Sequence, residues 1–382
     1  MLYFPVSHHR VVNSLQEHLK CIRLLAAGRA CGGKTVHETR YEENAEVRHH
    51  RMHFFPIVMR DLAMAAAILV LFALFHHVLP RSGRAKATIV DPSLLSAPSP
   101  SAAVATVDSA PAAAGEQAPA PSAAPAAVSP APGDFSAAFP NTDTGVNALH
   151  SYQSDQFRVA INMVQQNDVT YYVADVWIRN IRTFRTAFAK GEYGTGIHQQ
   201  PKKIAEANHA VFAVTGDYCG ARNSGVVIRN GDLYRDSVSS DVCVLYADGT
   251  MATYAQSDFN VMDAVNGAAW QAWGFGPRLL DDAGGAITEF DSAIKGKNPR
   301  SAVGYYEPGH YCFITVDGRQ KGYSVGMTLA ELAQVFANLG CKAAFNLDGG
   351  ATAEMLFQGE LVNKPYKGGR ESGDIICFGE DF

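Results

Sequence analysis

The stretch Val169 to Ile178, VTYYVADVWI, decides the fold class. Apolar and polar side chains alternate along it, and β-branched and aromatic residues dominate, as in a strand with one face against a core. Phe157 to Met163, FRVAINM, carries the same alternation just upstream. Further strand-like runs follow at Ala210–Val214, Gly225–Arg229, Val242–Tyr246, Ala302–Tyr306, Tyr311–Val316, Ala343–Leu347, Glu354–Phe357 and Asp374–Phe378. Asn230-Gly231, Asp248-Gly249 and Asp317-Gly318 are hairpin signals between runs, because these residues tolerate the positive φ of tight turns.

Helices are few. Pro201–Asn208 reads as a short one, and Leu329–Leu339 as the one strong helix. Thr328 and Glu331 form a capping box ahead of it, Leu329, Leu332, Ala333, Phe336 and Leu339 line one face, and Gly340 stops it. Many strands, few helices and hairpin turns predict an α+β domain, a mostly antiparallel or mixed sheet packed with few helices. No dinucleotide fingerprint, Walker loop or G-x-S-x-G elbow occurs.

The folded part is confined to the C-terminal portion of the 382 residues. Nine of the eighteen prolines fall between Asp91 and Gly133, and no aromatic occurs from His76 to Asp134. Such a segment cannot bury enough apolar area to offset its ordering entropy. Four regions are predicted: an N-terminal segment at 1–60, a transmembrane signal anchor at 61–80, a disordered Ala/Pro/Ser-rich linker at 81–150, and the folded domain at 151–382. The anchor rests on Leu62 to Phe75, fourteen residues without a charged or polar side chain, extended to Leu79 before Pro80. A cleaved signal peptide is the alternative, but the sequence after the apolar run lacks small residues for cleavage. Met52 or Met59 could each begin a more conventional anchor. A stalk-like linker leading to an acidic domain predicts a single-pass cell-membrane protein, with its N-terminus inside and the domain outside.

Residues 1–60 carry nine Lys/Arg against five Asp/Glu, whereas residues 141–382 carry 20 against 27. An acidic domain without a dense basic patch argues against nucleic acid as partner. It leaves room for an anionic small substrate, which a few placed arginines can hold. Cys219, Cys243, Cys312, Cys341 and Cys377 show no zinc spacing. Five thiols allow at most two disulfides, and Cys312 and Cys377 lie in apolar runs where a small buried hydrophobe also fits.

Three short blocks are candidates for chemistry. Asn346-Leu347-Asp348-Gly349-Gly350-Ala351-Thr352 places a carboxylate at a strand end beside two glycines, where a ligand can approach the backbone. Asn298-Pro299-Arg300-Ser301-Ala302-Val303-Gly304 puts a guanidinium at the entry of a strand. Thr215-Gly216-Asp217-Tyr218 leaves the apolar strand Val211–Val214 and is followed by Arg222. Each alone is also compatible with an ordinary turn or a surface ion pair.

Together these blocks, with Ser224-Gly225, Ile228-Arg229-Asn230-Gly231 and Phe275-Gly276-Pro277, resemble the phosphodiester glycosidase family, in order and spacing, over about Phe157 to Phe378. The family includes bacterial surface proteins labelled exopolysaccharide-related. The resemblance implies hydrolysis of a sugar–O–phosphoryl linkage at the anomeric carbon of a carbohydrate phosphodiester, giving free sugar and a phosphomonoester. On that basis Asp348, and second to it Asp217, is the expected nucleophile or water-activating base. Arg300, with Arg222 as second candidate, would take the growing phosphate charge. Asn298, Asn346, Thr352 and the Gly349–Gly350 amides would orient substrate. Retention and inversion both stay open. No cofactor is required and no His cluster offers a metal site, although a calcium ion among carbonyls and carboxylates is compatible with the sequence. Two positions depart from the family pattern: Thr215 replaces an Asn, and Ala353 a hydroxyl residue. The alternative reading is therefore a membrane-tethered glycan-binding or exopolysaccharide-assembly module with impaired catalysis.

Overall fold

The structure, a computed structural model, describes residues 60, 63–70, 81–83, 87–90, 133–140 and 148–380. It divides into a unit of residues 1–76 and a unit of residues 77–382. In the first, residues 63–70 are helical, with Met64, Ile68, Leu69 and Val70 exposed. Among the described residues no helix is long and apolar enough to cross a membrane. The rest of the predicted anchor, including 71–80, lies outside the described residues, as does most of 1–60.

The second unit is built on three sheets and a two-stranded ribbon. The strands are numbered along the chain. The first sheet runs β16 (Ala343–Asn346), β14 (Arg300–Glu307), β15 (His310–Val316), β5 (Val169–Ile178), β4 (Phe157–Gln166) and β3 (His150–Gln153). The second runs β12 (Met251–Tyr254), β11 (Val242–Tyr246), β13 (Ala269–Trp273), β9 (Val227–Arg229), β10 (Asp232–Arg235) and β2 (Ala87–Thr88). The third runs β18 (Glu360–Leu361), β17 (Met355–Phe357), β8 (Phe212–Thr215), β19 (Asp374–Phe378) and β6 (Arg185–Phe188). The ribbon joins β1 (Arg81–Gly83) to β7 (Tyr193–Thr195). Every pairing among these strands is antiparallel.

Local chemistry sets the registers. β4 and β5 pair from Gln166↔Val169 to Phe157↔Ile178 across Asn167-Asp168, both at positive φ (51° and 58°), which matches the twist of a two-residue hairpin. Asn230-Gly231 and Asp248-Gly249 form the β9–β10 and β11–β12 hairpins. Asp317-Gly318 does not. Its buried carboxylate accepts hydrogen bonds from the Tyr323 hydroxyl (2.8 Å), Asn363 Nδ2 (2.8 Å) and the Lys364 N–H, so it ties two loops together instead of turning a strand.

Helices α1 (Pro201–Ala207), α2 (Val261–Asn266) and α3 (Leu329–Asn338) lie at the margins. The capping box of α3 is complete: Thr328 Oγ1 accepts the Glu331 N–H (3.1 Å) and Glu331 Oε2 accepts the Thr328 N–H (2.7 Å). Its apolar face buries Leu329, Leu332, Ala333 and Phe336 against Ala302, Cys312 and Ile314 of the first sheet. Gly304 admits this packing, since a Cβ there would stand 2.7 Å from the Phe336 ring.

Part of the predicted disordered linker is in fact docked on the domain. β2 adds to the edge of β10, the Ile89 N–H donates to Gly231 O (2.6 Å), and Val90, Phe135 and Phe139 are buried. The apolar side chains Ile89, Val90, Phe135 and Phe139, which flank the Pro/Ala-rich stretch in sequence, supply these contacts. Residues 91–132 and 141–147 lie outside the described residues. All five cysteines of the domain are free and buried.

The three sheets meet at Phe184, fully buried in the connection from β5 to β6. Its ring lies 5.9 Å from that of Trp273 on β13, 5.2 Å from Tyr311 and 5.8 Å from Phe313 on β15, and 5.1 Å from Phe378 on β19. Truncation would leave a cavity at the junction rather than at one interface. Phe184→Ala is expected to cost about 3–5 kcal/mol, measured by urea denaturation, with an unchanged denaturant slope.

Candidate active site

The floor of the site is a buried ion cluster. Arg229, at the end of β9, is 1% exposed. Its Nε (2.9 Å) and Nη2 (2.8 Å) meet Asp374 Oδ2, and Nη1 donates to Ile228 O and Ala272 O. Asp374 Oδ1 accepts the Asp217 N–H (2.7 Å). Asp217 Oδ1 accepts the Tyr218 N–H (2.7 Å), and Oδ2 accepts the Gly274 N–H (2.8 Å). Asp217, the second-choice carboxylate, thus lies beneath the site with a backbone donor on each of its oxygens.

On this floor rests the bend after β16. The Asp348 N–H donates to Gly216 O (3.1 Å) and the Gly350 N–H to Pro299 O (2.9 Å). A Cβ on Gly349 would stand 2.7 Å from Pro299 O, so only glycine lets the Asn-Pro-Arg block close on the bend. The three blocks singled out in the sequence therefore converge. Of the glycine amides expected to orient substrate, the Gly350 N–H donates to Pro299 O and the Gly349 N–H to the Asp348 carboxylate.

Asp348 is 5% exposed and lines three adjoining cavities of about 640, 320 and 210 Å³. Burial pushes its carboxyl up to about 6, Asp217 adds to the rise, and the Thr352 hydroxyl, Arg370 and the Gly349 N–H oppose it. Arg370 lines the same three cavities, with Nη2 3.5 Å from Asp348 Oδ2. Sequence reading missed this guanidinium, which sits in a Gly-Gly-Arg loop without motif character. The loop lies on Glu354, whose buried carboxylate takes the Arg370 N–H while burial raises its pKa to about 7. Any side chain at Gly369 (φ 93°) would collide with that carboxylate.

The largest cavity is walled by Tyr218, Arg222 and Phe275, with Ser239, Ser240 and Gln256 on its polar side. Arg222 places its guanidinium 5.1 Å from the Phe275 ring centre and 5.7 Å from that of Tyr218. Arg235 holds the loop beneath it, donating to Gly225 O (2.5 Å) and Arg222 O (2.6 Å).

The smallest cavity gathers Asn298, Arg300, Arg319, Asn346, Gly349 and Gly350 around Asp348 and Arg370. Asn346 donates to Gly276 O (2.8 Å) and leaves its buried Oδ1 without a partner. Asn298 Oδ1 is taken by Arg319 (2.7 Å from Nη2). Arg300 reaches the cavity wall, but its Nε donates to Met327 O (3.0 Å) and its Nη2 to Ile294 O (2.6 Å) and Gly296 O (2.5 Å). Those carbonyls orient it, and the guanidinium that stands beside Asp348 is that of Arg370. Burial, aided by Arg319, pushes the Arg300 guanidinium down to about 10, still charged at neutral pH.

Thr352 Oγ1 donates to Gly349 O (2.7 Å), closing the bend. The two departures from the family pattern lie below the site. Thr215 is fully buried, donates to Thr352 O and accepts the Glu354 N–H (3.1 Å). Ala353 is buried as well, and neither residue lines the three cavities. Among the described residues no group of three or more His, Cys, Asp or Glu side chains is placed to hold a metal ion.

Two variants separate these roles. Arg300→Ala strips three carbonyls of their charged donor and is expected to lower stability by about 2–3 kcal/mol, seen as a lower urea midpoint. Asp348 has a folded-state pKa of about 6, above the ~3.9 of an unfolded aspartate. The folded state therefore binds the extra proton across the window between those values, so stability falls as pH rises through that window and the loss is complete above about pH 6. Asp348→Asn is expected to raise stability by up to about 3 kcal/mol at pH 7.5 and by almost nothing near pH 4.

With this geometry, comparison with known proteins becomes specific. Residues 208–379 match the family model described as phosphodiester glycosidase. The SPbeta prophage-derived uncharacterized protein YomE of Bacillus subtilis (strain 168) is 29% identical over 182 residues, 45% of this chain and 28% of its own length. This chain thus spans well under a third of that relative. The catalytic domain of zebrafish N-acetylglucosamine-1-phosphodiester alpha-N-acetylglucosaminidase, auto-inhibited by its pro-peptide, is similar at 20% identity and a TM-score of 0.49, over 61% of this chain and 86% of that one. A hypothetical protein from Synechocystis is similar at 16% identity and a TM-score of 0.47, over 60% of this chain and 64% of that one. The family model spans the Asp217, Arg300 and Asp348 blocks, and residues 208–379 of this chain carry a phosphodiester glycosidase family domain.

Proposed function

We propose that the domain hydrolyses a glycosyl phosphodiester at its anomeric carbon, releasing free sugar and a phosphomonoester. The observation that carries this reading is the Asp348–Arg370 pair at the meeting point of three cavities. A glycosyl phosphodiester has three parts to accommodate: the sugar, the phosphoryl group and the alcohol beyond it. The charges it develops are also two, positive at the sugar carbon and negative on the departing phosphate. A carboxylate beside a guanidinium answers both.

Asp348 acts at the sugar carbon, as nucleophile or as base toward water, and a pKa of about 6 keeps it ionised yet basic near neutrality. Arg370 meets the leaving phosphate. The phosphate is a good leaving group, so charge stabilisation matters more than its protonation. The aromatic and hydroxyl-rich cavity of Tyr218, Phe275, Ser239 and Ser240 suits a pyranose, with Arg222 at its rim. The buried positions of Thr215 and Ala353 favour the enzyme over the binding module, since neither departure removes a group from the cavities. We further propose that the apolar run at 61–80 and the Pro/Ala-rich segment hold the domain outside a cell membrane, against surface or extracellular glycans.

The test is a sugar-1-phosphodiester bearing a chromogenic alcohol, incubated in ¹⁸O water. Label is expected in the sugar and not in the phosphate, and label in the phosphate would show cleavage of the P–O bond instead. Turnover is expected to rise with pH through about 6 as Asp348 ionises. It should fall about 100- to 10,000-fold in Asp348→Asn. Saturable binding without turnover would replace the enzyme with a binding module.

A further inference from the structure

The smallest cavity has a charge balance unlike its neighbours. Three guanidinium groups line it, those of Arg300, Arg319 and Arg370, and among its lining residues Asp348 is the one carboxylate. In the acidic domain surrounding it, this is a local excess of about two positive charges at neutral pH. The cavity is also small. At roughly 210 Å³ it is the smallest of the three and still has room for a tetrahedral oxyanion.

Arg319 is held for such a ligand and does not project freely. It sits at φ 58°, a left-handed conformation uncommon for a side-chain-bearing residue. Asn298 Oδ1 accepts its Nε (3.1 Å) and its Nη2 (2.7 Å), and the Tyr366 ring lies 5.6 Å from its Cζ. Gly350, also at positive φ (67°), leaves the guanidinium open on its inner side, where a Cβ would stand 3.4 Å from Nη1. No acidic side chain takes part in this anchoring, so the charge of Arg319 is oriented without being neutralised. Buried nearby is the unpartnered Oδ1 of Asn346, which can accept a hydrogen bond from a sugar hydroxyl or from the O–H of hydrogen phosphate.

We propose that this cavity binds the phosphomonoester dianion, so that the product is retained and inorganic phosphate competes with substrate. The inference rests on the proposed hydrolysis for the word product, but not for the binding. A diester carries one negative charge, whereas a monoester carries about 1.5 to 2 at pH 7. The cavity's excess of two therefore favours the species left after cleavage over the one that entered. Arg319 is the specificity-determining residue, because it alone of the three guanidiniums is neither engaged by carbonyls, as Arg300 is, nor within ion-pair distance of Asp348, as Arg370 is.

The experiment is a calorimetric titration of the full chain with inorganic phosphate, at constant ionic strength set by chloride so that screening does not change. Saturable binding is expected, weakened about tenfold or more in Arg319→Ala, partly in Arg319→Lys, and partly in Asn298→Ala, which frees Arg319 from its holder. Arg222→Ala, in the large cavity, is expected to leave phosphate affinity within about twofold. No saturable binding to the wild type would overturn the proposal, and so would a loss in Arg222→Ala without one in Arg319→Ala. Thermal melting of each variant guards against a folding defect, and Arg319→Lys keeps the charge if the alanine variant proves unstable. Turnover of the chromogenic diester is measured separately. Turnover without phosphate binding removes the retained product and leaves hydrolysis standing, whereas phosphate binding without turnover does the reverse.

Discussion

The buried Arg229–Asp374 pair is the constraint from which the site inherits its geometry. A guanidinium and a carboxylate fully removed from water carry a desolvation penalty that only close contact and further hydrogen bonds offset. Here each remaining polar atom is directed at the backbone that shapes the floor. Asp374 Oδ1 fixes the Asp217 N–H, Asp217 in turn fixes the Tyr218 and Gly274 N–H groups, and Gly216 O receives the Asp348 N–H. Gly216 has no side chain because Asp374 Oδ1 would lie 2.5 Å from its Cβ. One ion pair therefore registers β9, β13, β19 and the bend after β16 against one another. Its contribution to net stability is small beside its contribution to uniqueness, since any rearrangement of these four segments strands a charge.

The same cluster explains how neighbouring carboxylates come to differ. Asp217 and Asp374 share Arg229 and several N–H donors, and they serve as fixed acceptors. Asp348 is nearly as buried but has only Arg370, a half-exposed guanidinium at 3.5 Å, as its cation. Burial therefore dominates and lifts its pKa to about 6. Burial raises the Asp374 carboxyl as well, so what sets Asp348 apart is its place on three cavities. The charge of Asp217 contributes to the rise, so the floor tunes the residue it supports.

What could be read from the chain follows the range of the interaction involved. The capping box of α3, the Asn230-Gly231 and Asp248-Gly249 hairpins and the alternation of β4 and β5 are local, and each appears where the residues put it. The Gly349-Gly350 bend and the Asn298–Arg300 block were legible as neighbours only through a family pattern. β13 escaped notice because all five of its residues are buried and the two-residue period vanishes. Arg229, Arg319 and Arg370 were passed over, and Arg300 was read without the three carbonyls that hold it. The reason is common to all four: a guanidinium's task depends on which carbonyl or carboxylate comes near from a distant segment, and nothing in the adjacent sequence records that. The docking of residues 87–90 on β10 was hidden by the composition of the longer stretch that contains them.

The arginines also resolve an apparent contradiction between an acidic domain and the anionic substrate proposed for it. Residues 141–382 hold seven more acidic than basic side chains, so at long range the domain repels a phosphate, weakly at physiological salt where fields fade over about 8 Å. Attraction must then be local. Arg300 and Arg235 are engaged by carbonyls and fix loops. Arg370 and Arg319 stand exposed and Arg222 half-buried at the cavity walls, held by Asp348, Asn298 and aromatic faces respectively. Holding Arg319 with a neutral amide and Arg222 with aromatic rings keeps their charge available while restricting their rotation, whereas the charge of Arg370 is partly offset by Asp348. The acidic surroundings then act as a filter: an anion is favoured only once it has reached the short range at which these three groups outweigh the rest of the domain.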